Sequence, residues 1–92
     1  GAEGMVGVGT TSTTAPLTVQ GRMDVTGSIL PGVDDTYNLG AATFRWDNIY
    51  VTDLHLTNER GDWTMIEEHD YLTIRNNKNG KRFKLLMEEI ED

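Results

Sequence analysis

The sequence predicts an all-β fold whose core is shared between copies of the chain, and three observations lead there. Residues 17–29 ("LTVQGRMDVTGSI") alternate strictly, with Leu17, Val19, Met23, Val25 and Ile29 on odd positions and polar residues on every even one. That period of two is the signature of a strand with one buried face. No segment spaces its apolar residues as an amphipathic helix would. Ile, Leu, Val and Phe together make only 21 of the 92 residues, close to the level at which disorder becomes the default reading. A chain this small is a marginal folder on its own, so burial against other copies is the economical remedy.

Each element follows in order. Residues 1–16 ("GAEGMVGVGTTSTTAP") are rich in Gly, Thr and Ser and read as an extended N-terminal arm. The opening Gly, in place of Met, reads as a piece of a longer protein. Residues 17–32 form a one-faced shaft strand that ends in the Pro31-Gly32 turn signal. Thirteen strand residues span roughly 43 Å at the usual rise, whereas a compact chain of this length is only about 32 Å across. The strand therefore bends at Gly21 or Gly27, or it lies along an elongated object, and the elongated form is the expectation.

Residues 33–52 form a small aromatic knot. Within it, "YNLGAATFRWDNIYV" holds two of the three Tyr, one of the two Trp and one of the two Phe. Asn38-Leu39-Gly40 reads as a turn, Ala41 to Trp46 as a single helical turn, and Ile49-Tyr50-Val51 as the start of a strand. Apolar parity then switches from odd (Ile49, Val51) to even (Leu54, Leu56), which predicts a bulge or corner at Thr52-Asp53. Residues 53–92 read as a C-terminal β-meander, with Asn79-Gly80 as a hairpin turn. A two-residue loop there sets Ile74 opposite Leu85, Leu72 opposite Met87 and Asn76 opposite Phe83. A wider loop over Asn77 to Gly80 shifts that register by one, and the tighter turn is the expectation.

Charge and chemistry narrow the function. A formal charge of −7 disfavours nucleic acid as a partner. The basic cluster "RNNKNGKRFK" is followed at once by acids, as on a solvated hairpin. No cysteine is present, so neither disulfides nor thiol chemistry enter. No apolar run reaches the roughly 20 residues that span a bilayer, which argues against membrane insertion, and no signal peptide is visible. His55 and His69 are far apart. His69, in "EEHD", reads as a polar turn rather than a metal site. Ser12 and Ser28 lack the setting of an activated nucleophile, and the neighbouring carboxylates Asp34-Asp35 and Glu67-Glu68 are not an opposed pair. "GVGTTS" lacks the Lys and helix of a phosphate loop. Nothing argues for an enzyme, a cofactor or a metal.

The segment "PGVDDTYNLGAATFRWDNIYVTDLHL" resembles a motif of phage tail-fibre and tail-spike proteins, P-G-x-D-x-T-Y-x-L-G-S-x-x-x-R-W-x-N-I-Y. Pro31, Gly32, Asp34, Thr36, Tyr37, Leu39, Gly40, Arg45, Trp46, Asn48, Ile49 and Tyr50 match it, while Ala41 stands in place of the usual Ser. Residues 6–29 are similar to the segments that precede this motif in such fibres, and residues 63–85 to C-terminal tips of fibre-like proteins of marine viruses. The resemblance implies an elongated, intertwined homotrimer in the virion, acting as a trimerisation module near the host-contacting tip. It implies a threefold core built from Leu17, Val19, Met23, Val25, Ile29, Leu39, Trp46, Ile49 and Tyr50. Trp46 is then expected to be buried in the knot or against a neighbouring chain, and Trp63 to matter less. Many relatives carry a self-cleaving chaperone domain after the motif, but Thr57 replaces its serine in "TNERGD" and too little chain follows. Alternative functions are a tip that binds a host receptor or glycan, or a fragment of a bacterial surface adhesin.

Overall fold

A computed structural model of the chain describes residues 4–91, so Gly1 to Glu3 of the arm and Asp92 of the meander lie outside the described residues. Every regular element is a strand: β1 (Val6–Val8), β2 (Leu17–Val19), β3 (Asp53–Thr57), β4 (Asp62–Glu67), β5 (Leu72–Asn76) and β6 (Arg82–Lys84). The all-β expectation holds, and among the described residues no helix is long and apolar enough to cross a membrane. The chain divides into two units, Gly1–Leu39 and Gly40–Asp92, and this boundary falls inside the segment expected to form a single knot.

In the first unit β1 pairs in parallel with β2, Val6 opposite Leu17 and Val8 opposite Val19. The arm thus contains a strand that its Gly- and Thr-rich composition concealed. Residues 9–16 join the two strands, which is shorter than the dozen or so residues usual for a parallel connection. Gly9 permits it. Its φ is +76°, a conformation that glycine adopts at little cost, and a Cβ there would collide with the Gln20 carbonyl oxygen. Hydrogen bonds from Val6 N to Pro16 O (2.7 Å) and from Gln20 N to Val8 O (2.8 Å) close the pair at both ends.

The predicted strand over 17–29 is cut short at Val19. A strand persists only where its backbone groups meet a ladder, and beyond Gln20 the described residues of this unit offer none. Gly21, at φ +130°, also leaves the extended region. Residues 34–36 form a turn around Asp35, whose φ is +50°, with the Thr36 hydroxyl donating to the Asp34 carbonyl (2.9 Å).

The second unit opens with a tight turn in place of the expected helical one. Ala41 and Phe44 bond reciprocally, N to O, at 2.9 and 3.1 Å, and Gly40 stands at φ +88°. The anticipated strand at Ile49 begins instead at Asp53, beyond the parity switch. The meander then forms as expected, a four-stranded antiparallel sheet in the order β3-β4-β5-β6. Its last hairpin takes a wider loop, which moves the partners by two positions from the tight-turn register and not by the expected one. Ile74 faces Phe83 and Arg75 faces Arg82, Gly80 N donates to Asn76 O, and Asn76 N donates to Lys81 O. Gly80, at φ +75°, supplies the left-handed residue that closes this four-residue loop, which overrides the two-residue reading of Asn79-Gly80.

Candidate functional site

Alternation along β3 to β6 sorts the sheet into two chemically different faces. On one, the register lines up Leu54, Met65, Ile74 and Phe83 as an apolar row crossing all four strands. Leu56 and Trp63 stand opposite each other in the next row, and Leu72 meets Leu85 through the Leu85 N to Leu72 O bond (3.0 Å). The Trp63 and Phe83 rings tilt together with centroids 6.1 Å apart, and the Trp63 indole lies against Gly61. Leu56, Trp63, Ile74 and Phe83 border an open depression of about 390 Å³. This face is bare: Leu54, Leu56 and Phe83 are exposed, and Trp63, Met65, Leu72 and Ile74 are only half-buried.

The opposite face covers itself. Thr64 and Thr73, 1% and 6% exposed, are the most enclosed of the described residues. The Asn77 amide donates to Asp62 Oδ1 (2.8 Å) and to Thr64 Oγ1 (2.9 Å), while its oxygen accepts from Arg75 Nε (2.9 Å). Thr64 Oγ1 is therefore an acceptor toward Asn77. The same oxygen lies 3.1 Å from His55 Nδ1, within hydrogen-bond reach. The Thr73 hydroxyl donates to Glu68 Oε1 (3.1 Å), Arg82 approaches the same carboxylate at 3.8 Å, and the Lys84 ammonium sits 4.5 Å from the Tyr71 ring centroid. No buried side-chain polar atom among the described residues lacks a partner. The network clamps β3, β4 and the β5–β6 loop together, and a hydroxyl so enclosed has no access to a substrate.

Of the residues expected to form a threefold core, Val19 is half-buried, and Leu17, Met23, Val25, Ile29, Leu39, Trp46, Ile49 and Tyr50 are all exposed in the chain on its own. Tyr50 is 93% exposed, and Trp46, at 64%, rests its ring against Gly40 rather than inside a plug. The knot therefore buries nothing by itself: residues 33–52 are exposed throughout. An aromatic knot lacking any other large element has nothing within its own chain to close over it. His69 bonds only to its neighbour Asp70 (2.9 Å), and no group of three or more potential metal-ligating side chains occurs among the described residues. Sequence reasoning overlooked the apolar row of the C-terminal sheet as a site. The signal was present in the matching parity of "LHL", "WTM", "LTI" and "RFKL".

No apolar side chain is buried among the described residues. No known protein family, curated protein or solved structure matches the chain.

Proposed function

We propose that this chain is a structural trimerisation module of a viral tail fibre, placed in the virion at or near the host-contacting tip. The observation that carries the reading is the missing core: each described apolar side chain remains at least partly exposed until something else covers it. The motif resemblance at residues 31–50 supplies the fibre and the threefold symmetry. Residues 21–33, which find no backbone partner among the described residues of their unit, gain ladder partners from neighbouring copies in such an assembly. The enclosed polar network on the sheet accords with a structural role. Light scattering on the purified protein at micromolar concentration is the test. The expected mass is three times 10.3 kDa, and a single-chain mass would overturn the proposal.

A further inference from the structure

We infer that, in the assembly proposed above, on which this inference rests, the bare face of the β3–β6 sheet docks against other copies of the same chain while its polar face stays in water. Three features single out this face. The first is the contrast between the two sides, since one already shields its two threonines with its own hydrogen-bonded side chains. The other leaves the Leu54–Met65–Ile74–Phe83 row uncovered from edge to edge.

The second is charge. The chain carries −7, so copies repel one another over most of their surface. On the bare face the four strands contribute one ionisable residue, Glu67, at the end of β4. Two copies can meet there without bringing like charges together.

The third is timing. With no apolar side chain buried on its own, the sheet cannot wait for an occasional partner. Its cover must be at hand soon after it folds, and another copy satisfies that condition by construction. The open depression between Leu56, Trp63, Ile74 and Phe83 receives an apolar side chain from the facing copy.

Strand β3 provides the test, because all five of its residues are exposed in the single chain, so any protection must come from another one. The protein has no cysteine, which makes single-cysteine variants clean reporters. Leu54→Cys and Leu56→Cys place the thiol on the bare face, and Asp53→Cys and Thr57→Cys place it on the other. In the native oligomer, alkylation by iodoacetamide is expected to be about tenfold or more slower at 54 and 56 than at 53 and 57, because reaction requires local opening of the interface. In denaturant the four rates should converge. Equal native rates in a protein of oligomeric mass overturn the inference and leave the fibre reading standing, whereas a monomeric parent protein overturns that reading itself. As an independent check, Leu56→Lys should lose the oligomeric mass while Asp53→Lys retains it. Retention of that mass by Leu56→Lys also overturns the inference.

Discussion

Thr64 shows how this chain spends its few enclosed positions. It is a hydroxyl residue, 1% exposed, held between the Asn77 amide and the His55 ring. Its branched side chain suits a strand, and its oxygen engages both partners at once. Replacing it by the isosteric Val keeps the shape and strands two polar partners, which costs about 1–3 kcal/mol. Thr64→Val is therefore expected to lower the urea midpoint. An unchanged midpoint would mean that the network is incidental to stability. Neither partner could be read from the sequence, because Asn77 looks like an ordinary turn residue until the wider loop directs its amide toward β4.

Among the elements, the two tryptophans have different settings within the single chain, Trp46 beside Gly40 and Trp63 on the sheet face. Trp46 lies in the specific motif and was the expected anchor, yet within the chain it leans on Gly40 and remains mostly exposed. Trp63 was expected to matter less because of the neighbouring Arg60-Gly61. It stands instead on the sheet face, packed beside Phe83. Trp63→Ala is expected to destabilise the sheet by about 2 kcal/mol, less than the loss for a fully buried tryptophan and inclusive of the aromatic pair. Thermal unfolding followed by far-UV circular dichroism measures it, and a shift indistinguishable from zero would remove Trp63 from the sheet's stabilising set. The strands of the meander were readable because alternation and turn residues are local signals. The hairpin register was not, since Asn79-Gly80 fits both a two-residue turn and the end of a four-residue one, and only the backbone at Gly80 decides. β1 escaped notice because three residues paired eleven positions downstream leave no periodic trace. The long strand over 17–29 was predicted from a pattern that describes which side would be buried. The partner needed to bury it is absent from the same chain.

For the whole molecule, the governing fact is the apolar surface left in contact with water, since no described apolar side chain is buried. If copies cover that surface, folding and association are linked, and the thermal midpoint must rise with protein concentration. Differential scanning calorimetry over a hundredfold dilution series is expected to show this rise, and a constant midpoint would indicate a self-sufficient monomer. Added salt should raise the midpoint as well, because seven net negative charges per copy repel less when screened.

The meander has a kinetic consequence. Its three turns, residues 58–61, 68–71 and 77–81, each join strands adjacent in both sequence and space, so closing them costs little entropy. Local hairpins form in about 1–10 μs, long before two chains at micromolar concentration find each other. In the proposed assembly each copy thus reaches an encounter with its C-terminal sheet already shaped, while residues 21–33 gain ladder partners only once the encounter has happened. Such an assembly begins at the sheet and runs toward the N-terminus, against the order in which the chain is synthesised.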